Sequence, residues 1–215
     1  MTIWSNEAKI KKLKWLKDAK YLESMSPIQI QKFLFFSEMF NRNTNEQYSF
    51  YKLKAYKNGP VFSDVYGDIT YRRSELLEFL GNSDINFNLQ EEENLKKALF
   101  ITYTQSDEDL SEMTHNMDLW KSKEELVNEN RKQIPIYEHD ITNRDEQLIN
   151  NFYEYSNDIE DYKVIRMNGK IFLLDKKNSN LFKDEMLQTM ELISEDENLI
   201  NPVYVDIEDG VLLID

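Results

Sequence analysis

Apolar residues recur at helical spacing as far as about residue 155 and alternate after residue 158, which predicts helices followed by strands. Residues 6–23 read as a basic amphipathic helix, with Lys9, Lys11, Lys12, Lys14, Lys17 and Lys20 around Ile10, Leu13 and Leu16. Those lysines are expected to form a solvated face. The next helix has a defined start, with Ser26 as cap, Pro27 at the first helical position and Gln29 completing a capping box. Its body, residues 28–40, is apolar on nearly every side, which places it centrally in the core or under a partner. The polar run 41–47 ends it.

Residues 50–73 read as a strand, a rigid corner and a helix. Tyr51, Leu53 and Ala55 alternate with Lys52 and Lys54, as a half-buried strand requires. At the corner Asn58-Gly59-Pro60, the glycine permits a backbone angle closed to other residues. Pro60 then presets a helix over 61–72, on which Phe62, Val65, Tyr66 and Ile69 share one face.

A short helix over 74–80, stopped by Gly81, leads into a loop at 82–88. Residues 90–103 form a helix with Leu95, Ala98, Leu99 and Thr102 on one face. Ser106 and Asp109 offer a capping pattern for a helix in which Leu110, Met113 and Thr114 share a face and His115 follows. A charged helix runs from Trp120 to about Arg131, Ile134-Pro135-Ile136 breaks the pattern, and Thr142 caps a helix carrying Leu148, Ile149, Phe152 and Tyr153.

Beyond residue 158, segments 162–167 and 170–175 flank Asn168-Gly169, a strong hairpin signal. A helix over 179–193 aligns Phe182, Met186, Met190 and Ile193, and segments 203–207 and 211–214 flank Glu208-Asp209-Gly210 as a second hairpin. The expected fold is mainly α with a short strand element in a domain of residues 1–155, plus a small acidic C-terminal α+β unit of residues 156–215.

Composition narrows the class. A 215-residue chain with 40% hydrophobic and 13% aromatic residues can bury a substantial core. No apolar run approaches the ~20 residues needed to cross a bilayer, and the N-terminus lacks a signal peptide's apolar segment. Without cysteine there is no disulfide, thiolate zinc site or cysteine nucleophile. A soluble cytoplasmic protein is the expectation. Residues 1–100 carry 15 basic and 13 acidic side chains, whereas residues 101–215 carry 11 and 27. The acidic half repels nucleic acid and favours a basic partner, or simply keeps the chain soluble.

The only histidines, His115 and His139, lie 24 residues apart with no partner at metal-ligand spacing. No phosphate-binding loop, dinucleotide fingerprint or nucleophile elbow is present. The expectation is a non-enzyme without catalytic residues, metal or cofactor, in which His115 is a hydrogen-bonded structural histidine.

Three segments carry a resemblance: Gln31-Lys32 followed by Leu34-Phe35-Phe36; Ala55-Tyr56-Lys57-Asn58-Gly59-Pro60-Val61 with Val65-Tyr66; and Leu110-Ser111, Thr114-His115 and Trp120. Together, over about residues 26–131, they resemble the Panacea, or SocA-like, antitoxin domain family, often found in phage-associated proteins. The resemblance implies a mostly helical domain that neutralises a cognate protein toxin by binding it. One branch of the family acts as an adaptor that delivers toxin to a protease.

The signature residues, and by implication the partner-binding ones, are Gln31, Lys32, Phe36, Tyr56, Asn58, Gly59, Pro60, Val61, Tyr66, Ser111, Thr114, His115 and Trp120. The same residues would serve equally to hold the domain together. Tyr56, Asn58 and Leu119 depart from the family pattern, which loosens any inference about the particular partner. The alternatives are a proteolytic adaptor and a bacterial phage or mobile-element protein that inhibits a host protein. A DNA-binding regulator would need residues 9–20 as its basic recognition helix.

Overall fold

The computed structural model describes residues 3–81 and 86–214, so residues 82–85 of the expected 82–88 loop lie outside the described residues. Helix α1, Glu7–Asp18, is capped by the Asn6 side chain, which accepts from the Lys9 amide. It ends earlier than expected because Lys20 adopts a left-handed φ of 65° and the Tyr21 and Leu22 amides close back onto the Leu16 carbonyl. The solvated lysine face is also corrected. Lys9 and Lys12 are buried, each 2.9 Å from Glu38 Oε1 on the next helix. Lys11 pairs with Glu7, Lys14 with Asp18, and Lys17 donates to the Leu77 carbonyl.

Helix α2, Pro27–Asn43, starts with the expected capping box of Ser26 and Gln29 and is buried on every side from Gln29 to Asn41. The corner is not a helix start. Strands β1, Leu53–Tyr56, and β2, Gly59–Phe62, form an antiparallel hairpin that pairs Tyr56 with Gly59 and Leu53 with Phe62. Only then does α3, Ser63–Tyr71, begin. Pro60 is tolerated in β2 because that strand lies at the sheet edge, where no further ladder partner needs its missing N–H. Lys52 has a φ of 64°, so β1 starts after it and Tyr51 is exposed instead of sharing the buried face of Leu53 and Ala55.

Helices α4, Arg73–Gly81, and α5, Leu89–Tyr103, follow, α5 capped by Asn88 and Glu91. Helix α6, Asp107–His115, carries the capping box of Ser106 and Asp109. The expected charged helix from Trp120 is two short ones, α7, Asp118–Lys121, and α8, Glu124–Asn128. The first begins before Trp120 because the buried Asp145 carboxylate accepts from the Asp118 and Leu119 amides, at 2.7 and 3.1 Å. The Ile-Pro-Ile break contains β3, Ile134–Pro135, which pairs with β1 and completes the sheet order β2-β1-β3. Thr142 and Asp145 cap α9, Asn143–Glu154. The central α2 packs against α5, α9, α6, α3 and β2.

The C-terminal unit comprises β4, Tyr162–Met167, β5, Lys170–Asp175, α10, Asp184–Ile193, β6, Val203–Glu208, and β7, Val211–Ile214. Residues 176–181 are a 3₁₀ turn, so α10 begins later than position 179. The sheet order is β4-β5-β6-β7, with β5 and β6 parallel and the outer pairs antiparallel. Both hairpin turns place an asparagine or aspartate followed by glycine at positive φ, Asn168-Gly169 and Asp209-Gly210. Strand β5 is buried on both faces. Ile171 and Leu173 join the main core, while Phe172 and Leu174 pack with Met186, Met190, Val203, Val205 and Ile207. The fold is mainly helical, with a short strand element and a small C-terminal α+β unit.

Candidate partner-binding site

Positions 28, 31 and 32 of α2 share one face by helical spacing, and that face meets the β1–β2 hairpin. Lys32 is 1% exposed, and its Nζ donates to the carbonyls of Asn58 at 2.6 Å and Pro60 at 3.4 Å. Burial without a carboxylate partner pushes its pKa down to about 7. Gln31 Oε1 accepts from the Phe62 amide at 2.8 Å, whereas its Nε2 has no hydrogen-bond partner. The pair thus ties α2 to both ends of β2.

Helices α6 and α7 close on the hairpin from another side. A β-carbon on Gly59 would stand 2.4 Å from Thr114 Oγ1, and Thr114 is fully buried and donates to the Leu110 carbonyl. His115 stacks on Trp120 with ring centroids 3.8 Å apart, and Trp120 Nε1 donates to the Tyr56 carbonyl at 3.0 Å. Burial, and then the nearby Lys32 charge, lowers the His115 pKa. This histidine is held by its stack on Trp120, and its Nε2 has no hydrogen-bond partner, which corrects the expectation of a hydrogen-bonded histidine.

Between α2, the hairpin and α3 lies a pocket of about 160 Å³, lined by Pro27, Ile28, Gln31, Lys32, Tyr56, Lys57, Asn58, Val61 and Tyr66. The Tyr56 and Tyr66 rings lie 5.9 Å apart, and Tyr66 is 38% exposed. Burial, and then the neighbouring Tyr66, raises the Tyr56 pKa, so its hydroxyl stays protonated well beyond neutrality. The pocket therefore joins a partly exposed aromatic rim to a buried polar lining.

Most of the residues singled out in the sequence converge here; Phe36 and Ser111 do not. Phe36 is fully buried in the aromatic core, against Phe35, Phe40 and Phe152. Ser111 donates to the Asp107 carbonyl one turn back along its own helix. His139 sits apart, exposed and stacked on Tyr137.

Sequence reading missed Pro27, Ile28 and Lys57 as pocket-lining residues. It also missed the cluster of Lys9, Lys12 and Glu38. Burial works against the Glu38 carboxylate, but the two lysines overcome it and hold its pKa below the usual value. Among the described residues no group of three or more His, Asp or Glu is arranged to hold a metal. No helix among them is long and apolar enough to cross a membrane.

Residues 30–121 match the family model of the antitoxin SocA-like, Panacea domain. No curated protein and no solved structure matches the chain. The matched segment contains the hairpin, α6 and α7, most of α2, and all thirteen signature residues.

Proposed function

We propose that the chain is an antitoxin that neutralises a protein toxin by binding it directly, through the pocket and aromatic rim beside the β1–β2 hairpin. The observation that carries this reading is the convergence of Lys32, Gly59 and Thr114, three distant parts of the matched segment, on one point behind the Tyr56–Tyr66 rim. Rigidly backed tyrosines bury large area at small entropic loss, which suits them to anchor an interface. The acidic excess of residues 101–215 favours encounter with a basic partner. A recognition-helix reading of residues 9–20 draws no support from α1, where Lys9 and Lys12 are buried against Glu38.

The test is co-expression with neighbouring reading frames. A small adjacent frame that arrests growth alone should be silenced by this chain and should co-purify with it at fixed stoichiometry. Rescue without complex formation, accompanied by loss of the toxin to proteolysis, would shift the reading to a protease adaptor.

A further inference from the structure

The pocket beside the hairpin has an apolar wall from Ile28, Val61 and the two tyrosine rings, and two buried polar side chains, Gln31 and Lys32. Both of these offer donors. Gln31 has engaged its carbonyl oxygen with the Phe62 amide, while its Nε2, on a side chain that is 3% exposed, has no partner. Lys32 carries only donors, and it reaches the carbonyls of Asn58 and Pro60. Pro27 and Ile28, the first two residues of the 17-residue α2, line the same space.

We propose that this pocket takes the carboxylate of an aspartate or glutamate side chain presented by the partner protein, a proposal that rests on the binding function argued above. An ionised carboxylate accepts and never donates, which matches the unpartnered Gln31 Nε2 and the Lys32 ammonium; both are buried, so they turn toward the pocket as it enters. A volume of about 160 Å³ suits one side chain. The net charge of −14 does not draw an anion from a distance, so selectivity here is short-range. The titratable groups around Lys32 are His115, whose pKa the Lys32 charge helps to lower, and Lys57 and Tyr56 in the pocket lining. With Lys32 poised near neutrality, entry of a carboxylate above pH 7 draws a proton onto it, and binding weakens as pH rises.

The experiment titrates the full chain with acetyl-glutamate N-methylamide, its glutamine analogue and acetyl-leucine, following the Gln31 side-chain amide by NMR. The glutamate probe should shift that resonance saturably, and the neutral glutamine probe should bind at least about tenfold more weakly. Affinity for the glutamate probe should fall at least about fivefold between pH 6.5 and 8.5. Lys32→Met, if folded, should abolish binding; if it does not fold, the wild-type pH comparison decides. Equal binding of the glutamine probe, pH-independent affinity or no saturable shift overturns the proposal. Tighter binding of acetyl-leucine overturns the side-chain assignment in favour of a chain end. Probe binding involves no toxin, so failed neutralisation with probe binding intact defeats the antitoxin reading alone. Neutralisation without probe binding defeats only the pocket's chemistry.

Discussion

Lys32 Nζ lies 2.2 Å from the position a β-carbon on Gly59 would occupy. Thr114 Oγ1 approaches the same position to 2.4 Å from α6. Gly59 is thus required for two reasons: its φ of 95° disfavours side chains, and its missing side chain lets α2 and α6 close on the hairpin. Backbone conformation and tertiary packing meet at a single residue.

That double requirement separates Gly59 from Gly169, which shares a positive φ of 81° but has open space where a β-carbon would go. Gly169→Ala should cost only the conformational strain, about 1 kcal/mol. Gly59→Ala adds displacement of a buried lysine and threonine and should cost about 3 kcal/mol or more. Denaturant unfolding of the two variants measures the difference, and equal losses would contradict the close approach.

Lys32 also makes a pH prediction. Its folded pKa of about 7 lies below the ordinary 10.5, so between those values the unfolded chain binds more protons than the folded one. Stability from this group therefore rises as pH increases from about 7 and is reduced below it. Denaturation midpoints between pH 7 and 9 should climb for the wild type more steeply than for Lys32→Met. Parallel slopes would mean that Lys32 stays charged when buried. The comparison must stop short of pH 10, because the raised Tyr56, Tyr162 and Tyr204 pKa values pull stability the other way above it.

What the sequence revealed, and what it concealed, follows the range of the interactions involved. Caps at Ser26, Ser106 and Thr142 and the turn at Asn168-Gly169 are set by residues a few positions apart, and local pattern finds them. Val61 and Phe62, the second half of β2, fall within the expected helix because Phe62, Val65, Tyr66 and Ile69 do keep helical spacing. What makes β2 a strand is pairing with β1, reinforced by Gln31 accepting from the Phe62 amide. Strand β3 is two residues long and exists only through β1. The residues that line the hairpin were largely named through the family resemblance. Their contact was not, because Lys32, Gly59 and Thr114 meet only in the folded chain.

The same long-range logic hides the charge cluster of α1 and α2. Lys9 and Lys12 look like surface lysines until Glu38 is placed 2.9 Å from both. Glu38→Gln leaves two buried lysines without their carboxylate and should cost about 3–5 kcal/mol. The Glu38 pKa is held below its ordinary 4.5 by the lysines in spite of burial. Its contribution is therefore fully present above about pH 4.5 and is lost as pH falls through the folded value. Urea unfolding at pH 7 and in acid should show the wild type losing more stability than Glu38→Gln. A variant as stable as wild type at pH 7 would rule out a structural role for the cluster.

The proposed contact surface predicts a division of labour among its aromatic residues. Tyr66 is partly exposed at the pocket mouth, and Tyr56 packs beside it, so each presents area to an incoming partner. Trp120 is buried, with its indole nitrogen bound to the Tyr56 carbonyl, and His115 is stacked on it. Tyr66→Ala and Tyr56→Ala should therefore leave the fold standing, with unfolding free energies lowered by no more than about 1–1.5 kcal/mol. They should weaken toxin binding by about 2 kcal/mol, roughly thirtyfold, as loss of an aromatic anchor does. His115→Ala should act differently: removing the stack on Trp120 loosens the support of the hairpin, with about 1 kcal/mol lost in stability and a smaller effect on binding. Calorimetric titration against the purified toxin, alongside denaturation of each variant, separates the two classes. If both tyrosine variants bind at wild-type affinity, or fail only because they unfold, the rim holds the domain together and the partner docks elsewhere.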